Sequence, residues 1–254
     1  MTICAIPGLI VGAIGGGLVA ALGLPALGAA TLVILAVVVA MWIWRGAPGM
    51  VLRAVGAQPS DEDERPRLHN LVDGLCASMG LPRPAVMVVD HPLPNALTVG
   101  RHPRSATLVV TSALDESLSL VELEGVLAHE LVHIKRHDTV CSGVAVAVVA
   151  PLAAVSGSGA GLVHVLVGPG REFAADQRAV SVVRCWAGLG SALGAMTASS
   201  TAQTPQPPWP PGRGRRAALT RWLWINPVVG AGPDRPIEGN LDDVEVRAAA
   251  LLLR

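Results

Sequence analysis

The segment His129-Glu130-Leu131-Val132-His133 places two imidazoles four residues apart with a carboxylate beside the first. On a helix a four-residue step returns to the same face one turn on, so both rings can grip a single zinc ion. Glu130 then lies beside the metal, where it can hold a water. Catalytic zinc needs a third protein ligand and an open fourth position. His137 and Glu172 are the candidates. Three histidines on one straight helix converge poorly, because His129 and His137 would stand ~12 Å apart along its axis. Glu172 is the stronger candidate, since Arg171-Glu172-Phe173-Ala174-Ala175-Asp176 opens a second helix. Asp176, one turn later, could accept the other ring N–H of a ligand histidine and fix its tautomer.

The elements that position these groups can be read along the chain. Ser119-Leu120-Val121-Glu122 is a capping box, and the helix it opens is expected to run through His137. Leu120, Leu123, Val126, Leu127, Leu131 and Ile134 supply its apolar face. Upstream, Ser60-Asp61-Glu62-Asp63-Glu64 reads as the capped, acidic start of a helix stopped by Gly80 and Pro82. Ala85 to Val89, Ala96 to Val99 and Ala106 to Thr111 read as strands, with loop at 91–95 and a turn at 100–104. Residues 198–217, rich in Ser, Thr, Gln, Pro, Gly and Arg, read as a flexible loop, and 241–254 as a terminal amphipathic helix.

Residues 4–44 carry no charged side chain, and Gly23-Leu24-Pro25 interrupts them near the middle. Each half has the ~20 residues needed to cross a bilayer, which predicts a membrane hairpin over 1–45 and a catalytic domain over 46–254. One long tilted span is the alternative. Trp42, Trp44, Arg45 and Arg53 mark the far interface, so the bulk of the chain is expected in the cytoplasm. Gly8, Gly12 and Gly16 form a small-residue ladder that fits either the second half of the hairpin or a second copy of the chain in an oligomer. The apolar stretch 139–168 separates the two chemical motifs. Both motifs bind one metal, so this stretch must start and end on the same membrane side. A single span is excluded if the two motifs share a metal, and ~30 residues are too short for two full crossings, which leaves a buried or re-entrant hairpin or a dip into one leaflet.

Bulk composition agrees with a membrane protein. Half the residues are hydrophobic, only 15% are charged, and the formal net charge is zero, so no broad basic field points to nucleic acid. Cys4, Cys76, Cys141 and Cys185 form no C-x-x-C pair and read as buried free thiols rather than a disulfide framework. With no tyrosine in the chain, the donor that would stabilise an oxyanion must be a histidine, an arginine, an amide or backbone N–H, and His91, His102 and His164 are not distinguished.

His129-Glu130-Leu131-Val132-His133 with Glu172-Phe173-Ala174-Ala175-Asp176 resembles the integral-membrane gluzincins of the HtpX heat-shock protease type, relatives of the CAAX prenyl proteases. The resemblance extends through Pro94-Asn95-Ala96 and covers about residues 65–190. It implies an α+β fold: an N-terminal transmembrane helical hairpin, then a mainly helical zincin-like catalytic domain with a small β-sheet. It also implies one zinc ion held by His129, His133 and Glu172, with Glu130 as catalytic base and Asp176 behind a ligand. The implied activity is endopeptidase cleavage of polypeptides, membrane proteins among them, in quality control at the cell membrane. Asn226-Pro227 and Arg247 are degenerate counterparts of the family's C-terminal His-Pro and arginine and are given no role. Asn95 and the strand residues Leu108, Val109 and Val110 are expected to receive substrate by strand addition. The rival readings are a catalytically silent membrane adaptor, which has no need of Glu130, and a transporter component, which would need polar groups in the spans.

Overall fold

A computed structural model describes residues 2–156, 170–202, 220–226 and 243–253. The chain is mainly helical. It starts with α1 (Thr2–Ala21) and α2 (Pro25–Val55), joined at Gly23 in the left-handed region that glycine tolerates. The backbone at Gly8 meets Ala36, Gly12 meets Leu32 and Gly16 meets Gly28. One number rises by four as the other falls by four, so the two helices run antiparallel at close range. Among the described residues α2 is the one helix long and apolar enough to cross a membrane. It also continues past the division expected at residue 45. Ile43, Ala47, Val51 and Val55 recur every four residues as buried positions, so its last three turns belong to the folded domain.

A four-stranded sheet follows from β1 (Gln58–Pro59), β2 (Ala85–Val89), β3 (Ala96–Val99) and β4 (Thr107–Thr111), in the order β1-β2-β4-β3. β4 runs parallel to β2, with Val86 opposite Leu108, and antiparallel to β3, with Leu97 opposite Val109. Alternate side chains of β4 enter two different cores. Leu108 and Val110 join the main one, and Val109 packs with Val51, Val55 and Trp224 on the other face. A strand covered on both faces is apolar throughout, and this explains the unbroken Leu-Val-Val run.

The helix between β1 and β2, α3 (Pro66–Met79), begins later than its acidic prelude suggests. Proline disfavours helix at the residue before it and suits the first helical position. The prelude instead makes a turn in which the Asp63 amide donates to Asp61 Oδ1. α3 ends at left-handed Gly80, as expected.

After the short α4 (Ser112–Ser117) comes α5 (Leu120–Lys135), with both capping-box bonds between Ser119 and Glu122 formed. It stops before the expected His137, which has a φ of 61° and breaks the helix ahead of α6 (Asp138–Ser156). α7 (Arg171–Val183), α8 (Trp186–Ala202) and α9 (Val244–Leu252) complete the described elements. α8 takes up residues 198–202 of the stretch read as loop, while 203–217, His164 and most of the C-terminal half of the 139–168 stretch lie outside the described residues. Cys76 and Cys185 are free thiols.

Candidate metal centre

α5 and α7 pack against each other and bring the two motifs together. Gly170 caps α7 in the left-handed region, at a φ of 77°, and turns the chain so that Glu172 faces α5 from the first turn. His129 Nε2 lies 3.1 Å from His133 Nε2 and 3.0 Å from Glu172 Oε2, and His133 Nε2 lies 3.4 Å from Glu172 Oε1. One donor atom from each of the three falls within 4.8 Å of the others. Ligands ~2.1 Å from a tetrahedral ion stand about 3.4 Å apart, so the three side chains are close enough together to hold one metal ion. His137 is absent from it. Its exposed ring packs edge-on against His102, with centroids 5.8 Å apart.

Each histidine has a carboxylate close behind it. His129 Nδ1 lies 2.7 Å from Asp176 Oδ1. An ionised carboxylate there calls for a proton on Nδ1, which leaves the Nε2 lone pair for a metal. Asp176 is itself gripped by Arg247, whose Nε and Nη2 donate to its two oxygens at 2.7 and 2.8 Å. His133 Nδ1 meets Asp138 Oδ2 at 3.2 Å, and Arg136 Nε meets the same oxygen at 3.1 Å. The two histidines are therefore each backed by an Asp–Arg pair, one fully buried and one partly buried.

The protonation states follow from this packing. Burial disfavours charge on His129, but Asp176 and Glu172 outweigh it and hold its pKa up to about 9. Burial likewise opposes charge on Glu172, yet His133 and Arg171, which donates at 2.8 Å, keep its carboxyl well below the usual range. Asp176 is also held low despite burial, chiefly by Arg247. Glu130 goes the other way. Burial pushes its carboxyl up against the opposing pull of His129 and His133. The centre thus holds two committed anions beside one carboxyl poised to trade a proton.

Two sequence expectations need correction. β4 has β2 on one side and β3 on the other, so the strand carrying Leu108, Val109 and Val110 offers no open edge, and all three side chains are core. Asn95 is buried and supports the chain itself: its Nδ2 donates to the Asn226 carbonyl at 2.7 Å, and its Oδ1 accepts from the Asn226 amide at 3.1 Å. The edge nearest α5 belongs to β3, where the Thr98 hydroxyl reaches the Glu130 carbonyl at 3.5 Å. Trp224 and Ile225 pair with this strand at Leu97 and Ala96. Sequence reasoning also gave no role to Arg247, which is fully buried, donates to the Ile225 carbonyl at 2.8 Å and lies 3.8 Å from Glu172. Asp138 was missed too, although its place five residues after His133, at the start of a helix, was a usable signal.

Comparison with known proteins agrees with the geometry. The chain is 40% identical over 133 residues to a protease HtpX homolog of Gemmatimonas aurantiaca, covering 51% of this chain and 47% of that one. It is 37% identical over 173 residues to a protease HtpX homolog of Acidiphilium cryptum, covering 57% of this chain and 59% of that one. The chain thus spans about half the length of the curated relatives it matches. No solved structure matches it significantly. Residues 62–202, which contain α3 to α8 and every member of the donor triangle, match peptidase family M48, and the chain belongs to that family.

Proposed function

We propose that the protein is a zinc-dependent endopeptidase anchored in a membrane by α1 and α2, acting on polypeptides that include membrane proteins under quality control. The observation that carries the reading is the convergence of His129, His133 and Glu172 within 4.8 Å, at separations suited to one tetrahedral ion. All but five of the exposed large hydrophobic side chains among the described residues lie between Leu9 and Trp42, which supports immersion of that part in lipid. The positive charge that follows at Arg45 and Arg53 supports a cytoplasmic catalytic domain.

Zinc bound to this triangle would supply a Lewis acid and lower the pKa of a water at its open position. Glu130 is the proposed general base. Its raised pKa brings it toward the pH at which it works, so it can take the proton of the attacking water and return it to the leaving amine. Asp176 and Asp138 hold the two imidazoles in the tautomer that presents Nε2. Arg171 and Arg247 fix the Glu172 carboxylate in place. An intact, buried Glu130 disfavours the silent adaptor.

The reading is tested by stripping the detergent-purified chain with phenanthroline and assaying cleavage of an unfolded polypeptide before and after adding zinc. Loss and return of cleavage support it. Cleavage that survives removal of the metal overturns it.

A further inference from the structure

We propose that the β3–β4 loop, together with the α5–α6 junction, forms a contact surface for the phosphate headgroups of anionic lipids. The inference rests on the membrane reading of α1 and α2. On α2 the exposed large hydrophobics end at Trp42, and the buried series begins at Ile43. The helix therefore leaves its apolar surroundings and enters the domain within one turn. Residues 25–42 of α2 span about 27 Å, close to the ~30 Å hydrocarbon core of a bilayer. Trp44 then sits at the headgroup level, where indole rings concentrate.

The loop is fastened at that level. The Arg101 guanidinium lies over the Trp44 ring, 5.2 Å from its centre, and the Thr139 hydroxyl of α6 donates to the Gly100 carbonyl at 3.3 Å. Arg104 projects from the same loop, exposed, and Arg45 is exposed one residue beyond Trp44. Arg136 and His137 come from the adjoining junction, where His137 touches His102 of the loop. Residues 100–114 contain no Asp or Glu, nor do 131–137. Arg101 and Arg104 form no ion pair among the described residues, whereas most arginines of the domain's body do. Unpaired guanidiniums fixed at the boundary between apolar and aqueous surroundings match the charge and hydrogen-bonding geometry of phosphodiesters.

This surface adjoins the metal centre at two points. Gly100 is two residues from Thr98, which reaches the Glu130 carbonyl, and Arg136 shares Asp138 with His133. Headgroups bound here would hold the catalytic helix at the bilayer surface.

The test uses the full chain in nanodiscs of phosphatidylcholine with a minor fraction of phosphatidylglycerol, counting the lipids retained on the chain by native mass spectrometry. Wild type is expected to retain phosphatidylglycerol in preference to phosphatidylcholine. Arg101→Gln with Arg104→Gln should reduce that preference about fivefold for each arginine. The corresponding pair of lysines should keep most of it, and Arg184→Gln, at the far end of α7, should leave it unchanged. Zinc content reports that the fold is intact in every variant. Equal preference in wild type and the glutamine pair would overturn the proposal, as would an equal loss in Arg184→Gln or in the lysine pair. Failure of the chain to enter nanodiscs at all would instead overturn the membrane reading beneath it.

Discussion

Replacing Arg247 with methionine should destabilise the protein substantially although the site lies outside the donor triangle. Arg247 has no exposed surface, and Asp176 is 1% exposed. Three of its nitrogens are engaged at 2.7 to 2.8 Å, two on Asp176 and one on the Ile225 carbonyl. Methionine fills much of the same volume, so little of the cost comes from a cavity. The cost comes from the Asp176 carboxylate, which keeps its charge, loses both Arg247 donors and is left with His129 alone. Breaking a buried pair from one side costs about 3–5 kcal/mol, against a total stability of about 5–15 kcal/mol. Urea unfolding of the detergent-solubilised chain, followed by tryptophan fluorescence, measures the loss. Trp224, buried beside Ile225, lies close to the change. Asp176→Asn breaks the same pair from the other side, so the double variant should cost less than the two single variants summed, by about 0.5–3 kcal/mol. A loss under about 1 kcal/mol, or costs of the two single variants that simply add in the double one, would refute the claim that this pair is a charged clamp.

Three further outcomes follow from the same geometry. With His129 held at about 9, its proton persists through neutral pH and must leave before zinc can bind, so apparent zinc affinity should fall about tenfold per unit as pH drops from 9 to 6; competition with a chromogenic chelator would show a flat profile if this is wrong. In the same assay Asp138→Ala should weaken zinc about 10- to 100-fold by freeing the His133 ring, and Asp138→Asn, which keeps an acceptor, should weaken it less. Unchanged affinity in the alanine variant would remove Asp138 from the site. Gly12→Ala drives a methyl into the Leu32 carbonyl and should cost about 1–3 kcal/mol, whereas Gly17→Ala, with nothing within 4 Å, should cost nothing; equal stabilities in detergent would contradict the close antiparallel packing of α1 and α2.

The grouping of His129, His133 and Glu172 was legible in the sequence because its parts are local. The two histidines and Glu130 sit within five residues of one helix, and the capping box that starts this helix is complete within four. Glu172 and Asp176 were legible for the same reason, as two acids one turn apart at a helix start. What failed was what depends on tertiary arrangement. The insertion of β4 between β2 and β3 is a choice of sheet order, which alternation along a strand does not encode. Arg247 lies 71 residues from Asp176, and no periodicity links them. α8 escaped notice because its run of Ala, Gly, Ser and Thr carries no distinct apolar stripe. The start of α3 was misplaced because five capping and acidic residues were given more weight than Pro66.

The measurement that bears most directly on the central claim is zinc content alongside peptide cleavage, for wild type and Glu130→Gln purified in the same detergent. Glutamine keeps the shape of Glu130 and removes its capacity to carry a proton. The structure predicts about one zinc per chain in both proteins, with cleavage by wild type and loss of at least a hundredfold in the variant. Wild type without zinc, or a variant that cleaves as fast as wild type, would contradict it.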